Sequence, residues 1–164
     1  MEIVTNYEII KLRDFSFFDR KRYSGRLVVN PNSERAALIP MMKQAANDVL
    51  NIHSSAKIIN LSLIPHESCA GEGEMGAVQF SLDGKDWGGD NDAPMWSGRI
   101  PKEEYWPIDP KLQPILVELF ITDGDIEEIE KEIIQKTGIS HEEFLSVLKP
   151  AVMLDSMEEW SEKG

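Results

Sequence analysis

Apolar and polar positions alternate with a strand period in two early segments. Tyr7 to Leu12 mixes β-branched, aromatic and charged residues as a half-buried strand does, and Arg22 to Asn30 ends in the apolar Leu27-Val28-Val29. The intervening Asp14-Phe15-Ser16-Phe17-Phe18-Asp19-Arg20-Lys21 carries three aromatics, so a packed hairpin connection is expected. Asn30-Pro31-Asn32-Ser33 reads as a turn and N-cap. Leu38, Met42, Ala45, Ala46, Val49 and Leu50 then recur at helical spacing, predicting a helix to about His53. Pro40 belongs in its first turn, with the regular part starting near Ile39, or else kinks it.

The period returns to two at Ile58 to Ile64, where Ile59, Leu61 and Leu63 share a face. From Met75 to Leu82, Val78, Phe80 and Leu82 oppose Ala77, Gln79 and Ser81, and Asp83-Gly84 marks a turn. The first ~85 residues thus predict an α+β fold with a β-β-α-β-β core, an antiparallel-rich sheet and a helix on one face.

Residues 87–114 have another character. They hold five of the nine prolines and three of the four tryptophans, which predicts an ordered but irregular connection. Asp109-Pro110 suits a helix start, Pro114 disturbs it, and periodicity leaves Ile115 to Ile121 open between helix and strand. Farther on, Asp125 with Glu128, and Ser140 with Glu143, have capping-box spacing, and Gly138 sits where a helix wants a left-handed residue. Helices are expected near 126–137 and 141–149, bent or ended by Pro150, with Ala151 to Trp160 adding a helical turn or two. The whole reads as a single domain over 1–164, divided into an α/β core (1–86), a Trp/Pro-rich connection (87–114) and an acidic helical part (115–164).

Charge sharpens this division. Residues 1–70 hold nine Lys or Arg and seven Asp or Glu; residues 71–164 hold eight and twenty-two, and the chain carries −12 in total. Such a field repels nucleic acid and anionic membranes and attracts basic proteins or cations. A lone cysteine, Cys69, cannot form an internal disulfide, and the N-terminus shows neither a basic start nor an apolar leader segment. The longest apolar stretches fall far short of the ~18 residues of a membrane span. A cytoplasmic protein is expected.

Tyr7-Glu8-Ile9-Ile10, the basic Arg20-Lys21-Arg22, and Phe80-Ser81-Leu82-Asp83-Gly84-Lys85-Asp86-Trp87 give the stretch from Tyr7 to Trp87 a likeness in outline. It resembles a bacterial and phage domain family of unknown function. The resemblance covers about half the chain, leaves out the acidic tail, and implies a fold rather than an activity.

Several motifs invite chemistry. Gly71-Glu72-Gly73-Glu74-Met75-Gly76 has dinucleotide-fingerprint spacing, but a strand follows it and its glutamates would repel a pyrophosphate. His66, Glu67 and Cys69 bring an imidazole, a carboxylate and a thiol together, and form the basis of an alternative reading as a small enzyme or small-molecule binder. A zinc site would need more convergent ligands than the other histidines, His53 and His141, supply, so no metal or cofactor is expected. Asp83, Asp86, Asp90 and Asp92 lack the EF-hand spacing and read as turn residues. Ile129 to Leu148 has a helix-turn-helix pattern, but its second helix opens Ser140-His141-Glu142-Glu143, which no DNA reader would present. The basic Arg20-Lys21-Arg22 with Tyr23 and Arg26 could touch RNA or an anion, but pairing with the acidic half is the simpler role.

Contact residues are expected in two places. Trp96, Arg99, Tyr105 and Trp106 have hot-spot chemistry beside Asp90, Asp92, Glu103 and Glu104, unless they simply roof the core. Glu127, Glu128, Glu130, Glu132, Glu142 and Glu143 supply negative charge that could stand in for phosphates. The function expected is a non-enzymatic, acidic inhibitor that occludes a basic, nucleic-acid-handling partner, such as a nuclease toxin or a defence enzyme. It would then be an immunity protein or a phage anti-defence protein, without direct nucleic-acid or membrane contact. A structural or regulatory subunit of a larger assembly is a third reading.

Overall fold

The computed structural model describes residues 7–17, 19–31, 33–69, 74–121, 125–152 and 156–163. Six strands form one sheet in chain order: β1 (Tyr7–Asp14), β2 (Arg22–Val29), β3 (Ile58–Ile64), β4 (Ala77–Ser81), β5 (Trp96–Pro101) and β6 (Met157–Glu162). Neighbours are antiparallel except β2 and β3, which run parallel. That exception follows from the chain between them, the helix α1 (Leu38–Ile52), because a parallel pair needs a crossover rather than a hairpin. The α+β, mostly antiparallel architecture is the one that the hydrophobic pattern predicts.

The face toward α1 carries the core. Leu27 and Val29 of β2, Ile59, Leu61 and Leu63 of β3, and Val78 and Phe80 of β4 are buried with Met41, Met42, Ala45, Ala46 and Val49 of α1. Pro40 lies in the helix's first turn, where its missing N–H costs nothing. Leu82 departs from the expected alternation. The chain has left β4 by then, so Leu82 is 43 % exposed while Ser81 is buried and donates its hydroxyl to the Lys85 carbonyl.

Two strands lie where none is expected. β5 falls in the supposedly irregular connection, and β6 occupies part of the stretch expected to be helical. Each owes its state to a neighbour. β5 pairs with both β4 and β6, and its Gly98 packs so close to the Ala77 carbonyl that an added Cβ would stand 2.0 Å from it. On β6, Glu158 pairs with Arg35 and Glu162 with Lys43. These glutamates look like a solvated helix in the sequence but meet cations across the sheet edge.

The 115–121 ambiguity resolves as helix: Pro110–Leu112 forms a 3-10 turn capped by Asp109, and α2 (Gln113–Ile121) follows. Next come α3 (Ile126–Thr137) and α4 (His141–Val152), which runs on past Pro150. Asp125 accepts from the Glu127 amide at 3.1 Å. Ser140 and Glu143 form a reciprocal capping box at 3.1 and 3.2 Å. Gly138, at φ 70°, ends α3 in the left-handed conformation. Among the described residues, no helix is long and apolar enough to cross a membrane.

Candidate functional site

The expected acidic surface takes shape on α3 and α4. Ile129 and Ile133 of α3 and Phe144, Val147 and Leu148 of α4 turn inward, which at helical spacing turns Glu127, Glu128, Glu132 and Glu142 outward. These four have no cationic partner among the described residues. The other two expected carboxylates are engaged within the fold. Glu130 meets His141, and Glu143 pairs with Lys111 at 2.8 Å. The hydrogen bond from Lys111, together with the Ser140 amide, holds the Glu143 carboxyl below its usual range. Ile121, at the end of α2, and Ile126, at the start of α3, are 48 % and 46 % exposed.

The aromatic group does not gather at one surface. Trp106 is only 3 % exposed, and its indole N–H donates to the Ser33 carbonyl at 2.7 Å, so it belongs to the core rather than to a contact surface. Trp96 is half-buried between Phe80, at 4.6 Å between ring centroids, and the Lys43 ammonium, 5.7 Å from its ring. Tyr105 is half-buried in a 3-10 turn, and Arg99 pairs with Glu74 on the sheet.

The His66, Glu67 and Cys69 group does not assemble as a nucleophile and base. The Cys69 thiol is buried, and burial pushes its pKa up. The His66 ring turns to Ser68, accepting from its amide at 3.1 Å and meeting its hydroxyl at 2.8 Å. Hydrogen bonds from Ser68 and the His66 backbone favour the thiolate that attack requires, but burial outweighs them.

The aspartates expected in turns are found there. Asp86 accepts from the amides of Gly89, Asp90 and Asn91, Asp92 bridges to Lys85 at 2.7 Å, and Asp83 pairs with Arg20. Arg20 and Arg22 both donate to the Trp87 carbonyl, at 3.3 and 2.7 Å. Two members of the basic cluster thus hold the 83–92 loop. Among the described residues, no group of three or more His, Cys, Asp or Glu could hold a metal ion. Gly71 to Gly73 of the glycine-rich motif lie outside the described residues.

A further site, absent from the sequence-based expectations, is the sheet face opposite α1. Strand register lines up Ser24, Asn60, Gln79, Ser97 and Ser161 in one row across β2 to β6. The next row is Arg26, Ser62, Ala77, Arg99 and Glu159. All of these but Arg26 line a groove of about 780 Å³, which continues past Ser24 and Ser62 into a recess of about 550 Å³ lined by Lys11, Arg13 and Arg26. The signal was present in the sequence: these are the polar members of the same alternations that mark the core.

No curated protein matches the chain. Its fold is similar to the crystal structure of a DUF487 family protein from Desulfovibrio piger ATCC 29098, with a TM-score of 0.57, 16 % identity, and coverage of 95 % of this chain and 94 % of that one. The domain of unknown function DUF4875 matches residues 3–107, from before β1 to just past β5. With nearly two thirds of its length inside that match, the chain belongs to the DUF4875 family.

Proposed function

We propose that this chain is a non-catalytic binding protein that captures a basic protein partner through the outer surface of α2 to α4. One observation carries the reading. Glu127, Glu128, Glu132 and Glu142 stand outward with no cationic partner among the described residues, and Ile121 and Ile126 of the same helical part are exposed. A surface of unpaired carboxylates complements a partner with a basic surface, and its like charge rejects acidic competitors. Enzymes that handle nucleic acid have such basic surfaces because they neutralise phosphates themselves. Covering one would block its substrate, which is the work of an immunity protein against a nuclease toxin or of a phage anti-defence protein. The free, buried Cys69 suits a reducing compartment, and we place the protein in the cytoplasm.

The test is capture from the native host at low and high salt, using the wild type and a Glu127→Gln, Glu128→Gln, Glu132→Gln, Glu142→Gln variant. A basic nucleic-acid-processing enzyme should be retained at low salt, inhibited on binding, and released by the variant. Salt should weaken capture, because screening acts over ~8 Å at physiological ionic strength. Retention of the same enzyme by the variant would overturn the surface assignment, and the absence of any basic partner would overturn the function.

A further inference from the structure

We infer that the polar sheet face binds a sugar phosphate, with its phosphate on Arg13 and Arg26 and its hydroxyls over Asn60 and Gln79. This site lies on the sheet, and the inference does not depend on the acidic helices or on the partner proposed for them.

The charge of the recess is the first argument. In a chain of net −12, Lys11, Arg13 and Arg26 converge on one recess, and none of them has a carboxylate partner among the described residues. Arg26 is half-buried and lines the recess with no carboxylate partner among the described residues. A phosphate would supply charge-assisted, two-pronged hydrogen bonds to these guanidiniums.

The backbone of β1 is the second. Pairing between β1 and β2 shifts by one residue between Ile10 and Arg13, and Lys11 adopts a left-handed φ of 54°. Without this bulge, strict alternation would turn Leu12 to the open face and Arg13 to the core. With it, Arg13 stands opposite Ser24 at the mouth of the recess. A bulge that re-aims one side chain at a cavity is a local device with a cost, and here it delivers a cation.

The floor is the third. Asn60, Gln79 and the serines of the same row offer donors and acceptors without net charge, which suits hydroxyl groups better than hydrocarbon. At the far side, Glu74 neutralises Arg99, and Glu159 adds an acceptor that would repel a second anion. The trough is therefore polarised, with anion recognition over β1 and β2 and hydroxyl recognition over β3 to β6. Its volume of about 780 Å³ is in the range that holds small ligands.

The experiment is titration of the full chain with ribose 5-phosphate, ribose and inorganic phosphate separately, followed by calorimetry and amide chemical shifts. Ribose 5-phosphate should bind about tenfold more tightly than either fragment, with shifts at Ser24, Asn60 and Gln79. Arg26→Gln should weaken ribose 5-phosphate and phosphate alike. Gln79→Ala should weaken ribose 5-phosphate but leave phosphate unchanged. If Arg26→Gln fails to fold, Arg13→Gln, on an exposed edge position, gives the same readout. No binding at millimolar ribose 5-phosphate, or unchanged affinity in the folded arginine variant, would overturn the assignment. So would tight binding of a short thymidine oligonucleotide without binding of the sugar phosphate, which would make the face a nucleic-acid surface.

Discussion

The phenol of Tyr7 in β1 donates a hydrogen bond to the carboxylate of Asp48 in α1, across 41 residues of chain. It ties an edge strand, whose outer side has no sheet partner among the described residues, to the helix that covers the core. Burial first, and then the neighbouring carboxylate, push the Tyr7 hydroxyl up to about 12. The neutral phenol is the form that the fold favours.

Tyr7→Phe should therefore cost about 1 kcal/mol at neutral pH, the net worth of one hydrogen bond, read by denaturant unfolding. Because the folded pKa lies above the unfolded one, the contribution is complete below about pH 10 and is lost as pH rises toward about 12. The wild type should show a steeper alkaline fall in stability than Tyr7→Phe; equal slopes would remove the tie.

Gly98→Ala should destabilise by about 1–3 kcal/mol or more, because the new Cβ would stand 2.0 Å from the Ala77 carbonyl oxygen and 3.0 Å from Trp160 Nε1. Both contacts are with strand neighbours, so the damage should centre on β4 to β6, seen as faster amide exchange there. An exposed-loop control such as Gly88→Ala meets nothing closer than an aspartate oxygen at 3.4 Å and should be near neutral.

Arg20→Ala should free the 83–92 loop. Its guanidinium meets Asp83 and donates to the Lys85, Asp86 and Trp87 carbonyls, and its side chain is largely buried. A loss of about 1–3 kcal/mol is expected, with new protease cleavage between residues 83 and 92. Burial pushes the Asp83 carboxyl up, but Arg20, the Lys85 amide and Ser81 outweigh it and hold it below its ordinary value. Its contribution is present above the ordinary carboxylate pKa and is lost as pH falls through the lower folded value. Asp83→Asn should flatten that acid limb.

Trp106→Phe should lower the melting temperature, since it removes a buried hydrogen bond to the Ser33 carbonyl and part of a packed ring. About 1–2 kcal/mol is expected. Capture of a partner by the folded variant should be unchanged; selective loss of capture at unchanged stability would return Trp106 to the interface.

Local pattern made much of this legible. The alternation in β2, β3 and β4 and the helical spacing in α1 place the core, because burial on one face demands it. Ser140, Glu143 and Gly138 mark helix ends because unpaired amides and carbonyls need those groups nearby. The outward face of Glu127, Glu128 and Glu132 follows from the same periodicity. The candidate groove was half visible: Ser24, Asn60, Ser62 and Gln79 are the polar steps of strands read for their apolar ones.

What the chain's own order determined is therefore the identity of its amphipathic elements and the sign of its two halves, since both depend on residues a few positions apart. Tertiary structure alone decided that 96–101 and 157–162 are strands, because their hydrogen bonds lie on other strands and the glutamates of 157–162 find Arg35, in the turn before α1, and Lys43 of α1. It also decided that Trp106 is core, and that a one-residue slip at Lys11 turns Arg13 toward the groove. Such choices depend on contacts tens of residues apart, which no local periodicity records.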